Sequence, residues 1–320
     1  MNKFLIVIIV IASLTLSCNS DSKLEQEISE IDISFTTERF DQLFGSSSQS
    51  NLPRLKKAYP FLFPKQFNDS IWIAEINDTL QQQLRSEVSK AYSNFKNTED
   101  KIHSLFQHLK YHFKAFNTPR VITVTSNVEY RNKVIVTDSI VLIALDTYLG
   151  AHHEFYDNIH QYIKQNFEAT QIVPDLAEHY AKKQIFQHQR KTLLDEMIYS
   201  GKVLYFRDAM LPNILDEHKI GYTKEDYEWA QANESNIWRH FVEKELLFST
   251  DTKLASRFIN PAPFSKFYLE LDVESPGRIG QYIGWQIVRA YMKNNTVSLQ
   301  DMLNKEADEI FTNSKFKPRK

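Results

Sequence analysis

The chain has 320 residues, 13% of them aromatic, with 7 glycines and a single cysteine. This excludes a low-complexity or disordered polymer and leaves ample length for a buried core. Thirty-eight basic side chains against 40 acidic ones give a formal net charge of −2, and the one basic block is Lys315, Lys317, Arg319 and Lys320, so nucleic acid is excluded as the expected partner.

The first element in chain order is an address. Lys3 precedes an apolar run, Phe4 to Leu16, interrupted by Ser13 and Thr15. The run is shorter than the ~20 residues of a membrane span and has the layout of a secretory signal peptide. Ser17 followed by the lone Cys18 has the layout of a bacterial lipoprotein cleavage site, although the leucines stand at Leu14 and Leu16 rather than three residues before the cysteine. The expectation is removal of residues 1–17 and a covalent lipid on Cys18, with the membrane as a partner and the cell membrane or outer membrane as the location. No intramolecular disulfide can form, so the fold rests on its core. The polar residues 18–30 are expected to be a tether, and 31–320 a single domain.

Ile31 to Phe35 alternates apolar and polar residues, the pattern of an edge strand. Ser46 to Asn51 is polar and predicts a loop. Helical periodicity over Ile71 to Phe116, broken near Asn97, predicts a hairpin of helices over about 70–117. Val121–Thr125, Lys133–Thr137 and Ile140–Ala144 are β-branched runs between polar turns, expected to form a small antiparallel sheet over about 121–145. From about 151 to 313 the chain reads as helical. Pro174 fits a first helical turn, Thr192 to Met210 is one helix ending before Pro212, Thr223 caps a long helix through Phe248, and Ser298 with Asp301 starts another that reaches Phe311. The fold class is α+β, predominantly α.

Three segments concentrate chemistry-bearing side chains. His152-His153-Glu154 with Asp157 places His153 and Asp157 four apart, but a zinc-peptidase helix needs His-Glu-x-x-His; a polar helix start explains the segment better. Asp175 and His179 share a helical face, with Leu176 where a catalytic glutamate would stand, and a solvated acid–imidazole pair is the simpler account. Glu196, seventeen residues after His179, is at a spacing that can put a third ligand on the next helix. The nucleophile elbow Gly-x-Ser-x-Gly and the Gly-x-x-x-x-Gly-Lys phosphate loop are both missing.

Three of the 7 glycines, Gly277, Gly280 and Gly284, fall in one segment. A dinucleotide loop would need a preceding apolar strand and a third glycine at a different spacing. Ser275 as cap, Pro276 in the first turn, and Ile279, Ile283, Ile287 and Ala290 at helical intervals predict a buried helix. Gly280 and Gly284 form a bare stripe for close packing, with the helix containing Gly201 as the expected neighbour. Arg278 is the charged residue there that faces a cleft.

Several of these residues carry a resemblance. Leu145-Asp146-Thr147-Tyr148-Leu149-Gly150, Glu196-Met197-Ile198 with Gly201-Lys202 and Tyr205-Phe206, Asn233-Glu234 with Trp238, Ala262-Pro263-Phe264, and Ser275-Pro276-Gly277-Arg278 with Gly284-Trp285-Gln286-Ile287-Val288 resemble, in that order, the gliding-motility lipoprotein GldB family of Bacteroidetes. The similarity spans about residues 31–318. It implies a lipid-anchored envelope protein needed for surface gliding, supporting the gliding motor and type IX secretion machinery. It also implies a zincin-like, predominantly helical body. Here Ser200 precedes Gly201 where an acid would stand, and His-Glu-x-x-His is missing, so the implied body has lost its metal and keeps a cleft for a peptide.

Two functional readings follow. The first is a non-catalytic envelope lipoprotein without a cofactor beyond its lipid, binding motility or secretion proteins through Ser200, Lys202, Tyr205 and Arg278. The second is a metal-dependent peptidase or hydrolase with zinc on Asp175, His179 and either Asp195 or Glu196.

Overall fold

A computed structural model of the chain describes residues 23–270 and 272–320. The export signal and Cys18 lie outside the described residues. The chain runs α1 (23–29), β1 (Thr37–Arg39), α2 (Phe40–Gly45), α3 (Leu52–Ala58), α4 (Asp69–Asn77), α5 (Thr79–Ala91), α6 (Lys96–His112), β2 (Arg120–Val124), β3 (Val134–Val136) and β4 (Ile140–Ala144). It continues through α7 (Gln161–Lys164), α8 (Ile172–Gln184), α9 (Leu193–Met210), α10 (Asp216–Ile220), α11 (Lys224–Ala232), α12 (Glu234–Glu243), α13 (Lys253–Phe258), α14 (Ile279–Asn294), α15 (Leu299–Leu303) and α16 (Ala307–Ser314). The class is α+β and predominantly α.

The sheet corrects an expectation. Its order is β1-β2-β4-β3, and only β3 and β4 are antiparallel; β1 pairs β2, and β2 pairs β4, in parallel. Alternating apolar residues define a half-buried strand without stating its direction. Direction comes from the connection: the stretch after β2 turns through left-handed Asn127 and Val128 and carries β3 to the far edge before β4 returns beside β2. The buried Asp146 carboxylate holds that turn, accepting from the backbone N–H of Ser126 at 2.9 Å and of Val128 at 2.7 Å.

The edge strand lies at 37–39 rather than 31–35. Carbonyls upstream are satisfied by side chains of α6 instead of a ladder: His103 Nε2 lies 2.8 Å from the Ile33 oxygen and Gln107 Nε2 donates to Ile31 O at 3.0 Å. Residues 23–30, expected as part of a tether, are packed too, with Ile28 only 1% exposed and Gln107 bonded to Ser29 O.

Period-two alternation makes the sheet a wall between two apolar clusters. Val121, Val134, Val141 and Ile143 face the main core; Ile122, Leu142 and Ile140 face a smaller aromatic cluster built on Phe40, Phe44, Tyr59 and Phe63. Long helical stretches divide where a local cap competes. The Asp78 carboxylate accepts from Gln81 N, separating α4 from α5, so the expected hairpin is three helices and its second break falls at Tyr92–Phe95, before Asn97. Thr223 does cap α11, but α12 is separate, turning at Asn233. Ser298 caps α15, and α16 follows as its own helix.

The centre of the main core is the crossing of α9 and α14. Thr192 and Asp195 cap α9 reciprocally. Gly201 and Gly284 meet there: a Cβ on Gly201 would stand 2.3 Å from the Gly284 carbonyl oxygen, and one on Gly284 would stand 1.8 Å from that of Met197. The two backbones are in contact, as the glycine stripe predicts. Beyond the crossing, Arg289 forks onto two carboxylates, Nε to Asp208 at 2.7 Å and Nη1 to Asp216 at 2.8 Å, with its guanidinium 3.7 Å above the Trp285 ring. Lys219 completes a balanced set of two acids and two bases. The N-terminus of α14 differs from expectation. Ser275 bonds Asp272 O and Ser265 O, and the helix begins at Ile279, whose N–H is capped across the fold by Ser265 Oγ at 3.1 Å. Arg278 precedes it in the left-handed region, φ 62°.

Lys202, on another side of α9, is fully buried and donates to Leu303 O and Lys305 O, carbonyls at and just beyond the end of α15. Burial pulls its ammonium down to about 8, partly offset by Glu306.

Two stability predictions follow from this packing. Gly284→Ala and Gly201→Ala drive a methyl into backbone and should each cost about 3 kcal/mol or more. Gly45→Ala, whose new Cβ meets only the flexible Arg85 side chain, should cost much less; equal denaturation midpoints for the three would refute the backbone contact. Between pH 8 and 10.5 the folded chain has lost the Lys202 proton that the unfolded chain still binds, so stability rises with pH across that window. The wild type should therefore gain on the order of 2 kcal/mol relative to Lys202→Met between pH 7.5 and 10, measured by chemical denaturation; a constant difference would show that the ammonium is hydrated.

Candidate functional site

One stripe of α9 turns away from α14. Glu196, Ser200, Val203 and Arg207 recur at intervals of three and four and so share a helical face. That face floors a cleft of about 450 Å³. Its walls are α8 with Glu178 and Lys182, the segment Ile259–Pro261, and the start of α14 with Arg278 and Gln281.

Each charged wall residue is held in place. Arg190 sits over Tyr199, its guanidinium carbon 3.7 Å from the ring centroid, and forks onto Glu196, its Nε 3.0 Å from the carboxylate. Arg207, 5% exposed, reaches Glu178 with one terminal nitrogen and Lys219 O with the other. Burial would raise the Glu178 carboxyl, but Arg207 and Lys182 outweigh it and hold it at about 2; Lys182 Nζ is 2.6 Å away. Arg278 donates to Ile220 O at 3.0 Å and Gly221 O at 2.9 Å, with its guanidinium 5.3 Å from the Tyr222 ring centroid. The left-handed backbone at Arg278 aims the side chain at the α10 terminus instead of along α14.

The sequence candidates separate. Ser200, Glu196 and Arg278 come together in this cleft. Lys202 and Tyr205, two and five residues beyond Ser200, fall on other sides of α9. Lys202 is committed to α15, as described above, and half-buried Tyr205 lies toward the Asp208 and Arg289 network, its phenol raised by burial and then by Asp208. Asp175 accepts from Tyr148 Oη at 2.8 Å and pairs with Lys133 at 2.5 Å. Burial lowers the His179 imidazole, against an opposing effect of Glu178. Glu196 belongs to Arg190. Thus Asp175, His179 and Glu196 do not form a ligand set, and among the described residues no group of three or more His, Cys, Asp or Glu side chains is placed to hold a metal. The His153 segment is a short turn in which His153 Nδ1 accepts from Phe155 N, not a helix pairing His153 with Asp157.

Arg190, Arg207, Lys182 and Tyr199 escaped the sequence reading. They come from three elements, and only the α9 interval from Ser200 to Arg207, seven residues and so two turns, was available to find one of them. The arrangement can bind: it offers fixed cationic donors beside apolar wall.

The motif residues outside the cleft mostly build the frame. Asp146 holds the turn after β2, Tyr148 joins α8, and Glu234 accepts from Tyr282 Oη and Arg319 N, both at 2.8 Å. Among the described residues no helix is long and apolar enough to cross a membrane. No curated protein and no solved structure matches the chain. The family model described as gliding motility protein GldB does match, over residues 21–318. With nearly its whole length matched, the chain belongs to the GldB gliding-motility family.

Proposed function

We propose that this gliding-motility protein is a non-catalytic, lipid-anchored component of the cell envelope that supports the motility apparatus and its type IX secretion machinery by binding a protein partner in the α9 cleft. The observation that carries the reading is the fate of the acids. Glu196 and Glu178 in the cleft, and Asp175 beside it in sequence, are each tied to a cationic side chain, while Ser200 and the Arg278 guanidinium line a cavity of ligand size. The family supports the motility assignment. The lone Cys18 after an apolar leader supports the anchor. In this reading the body is a zincin-like frame that has kept a cleft and lost its metal set.

The test is complementation of a gliding strain that lacks the gene. The wild-type chain restores colony spreading. Ser200→Phe, which fills the cleft, should abolish spreading at unchanged protein level by immunoblot, while His179→Ala should leave it intact. Cys18→Ala should move the chain out of the membrane fraction and abolish spreading. Stoichiometric zinc in the purified chain, lost together with gliding on His179→Ala, would replace this reading with a metal-dependent hydrolase.

A further inference from the structure

We infer that the ligand of the α9 cleft is an acidic polypeptide segment, its carboxylates meeting Arg278 and its apolar side chains lying over Val203 and Ile259. The inference rests on the cleft being the partner site and adds what the partner must present.

Charge is the first argument. Four cationic side chains line the cleft, Lys182, Arg190, Arg207 and Arg278, against the carboxylates of Glu178 and Glu196. Glu196 is engaged by Arg190, and Glu178 is shared between Arg207 and Lys182. Arg278 forms no ion pair among the described residues. Its two bonds go to backbone carbonyls, leaving three of a guanidinium's five N–H groups without an acceptor there. Hydrogen-bond supply is the second argument. Ser200, which lines the same cavity, makes no side-chain hydrogen bond among the described residues. A carboxylate is the planar acceptor that a fixed guanidinium grips with two parallel bonds.

Lining is the third argument, and it selects a polypeptide. Val203, Leu204, Ile259 and Pro261 form the apolar part of the cavity. A free phosphate would leave that surface uncovered, whereas a peptide alternating acidic and apolar residues covers both parts. Arginine clusters of this kind are an established way of reading acidic motifs.

The full chain, purified in detergent, is titrated with a fluorescein-labelled peptide of alternating Glu and Leu and with its Gln and Leu counterpart. Inorganic phosphate serves as competitor. The Glu peptide should bind at least about tenfold more tightly than the Gln peptide and weaken with added salt. Arg278→Gln and Ser200→Asp should each weaken it by at least about tenfold. Because Arg278 also holds the end of α10, the decisive variant is Ser200→Asp, whose hydroxyl holds nothing; its unchanged Tm reports an intact fold. Equal binding of the two peptides, or binding unmoved by Ser200→Asp, overturns the inference, and displacement by phosphate before chloride of equal ionic strength overturns its polypeptide part. Gliding of the same variant separates the two levels. Normal gliding with Ser200→Asp, after loss of Glu-peptide binding, rejects the cleft as the motility surface while the ligand chemistry stands. Lost gliding without a preference for the Glu peptide rejects the acidic ligand while the cleft reading stands.

Discussion

Everything in the larger core is referred to a contact that contains no side chain. Gly201 and Gly284 let α9 and α14 touch backbone to backbone, closer than any pair carrying β-carbons could approach. That separation sets where the other faces of α9 point. One faces α15, where Lys202 closes a helix end; another, toward Asp208, joins the network around Arg289; a third is left as the cleft floor. A shift of α14 would move Trp285, Arg289 and the Arg278 that precedes the helix together, because all three ride on one rigid element.

The electrostatics divide in the same way. Around Arg289 the charges are balanced, two carboxylates and two cations sharing bonds below 3.5 Å, which is the condition for burying ions at tolerable cost. The cleft is built from the same residue types without that balance. Balanced charge holds elements together; unbalanced charge is available to something outside the chain.

Much of this frame was legible in the sequence because its signals are local. The glycine interval in α14, the Thr223 cap of α11, and the β-branched runs each depend on residues within one or two turns or strands. What failed to show is set between distant segments. The mixed sheet depends on how the Asn127 and Val128 turn is held by Asp146, twenty residues from Ser126. The true start of α14 depends on Ser265, and the edge strand is displaced by α6 side chains that bond the carbonyls of 31 and 33. The cleft suffered most. Ser200 and Arg278 could be singled out individually, but Arg190, Arg207 and Lys182 gain meaning only when three elements converge, and the apparent metal candidates Asp175 and Glu196 lose theirs once Lys133 and Arg190 are seen beside them.

The position of Arg278 has a kinetic consequence. A residue held in the left-handed region, tied to two carbonyls and attached to a helix that cannot slide, has few other rotamers to visit. On the proposed peptide-binding reading, the surface is therefore made before anything binds, and little conformational entropy is left for this chain to lose. The ordering cost falls on the visitor, which favours a partner whose segment is unstructured and can be released as readily as it is caught. For an apparatus that must move, a rigid catch and a pliable strap is a workable division of labour.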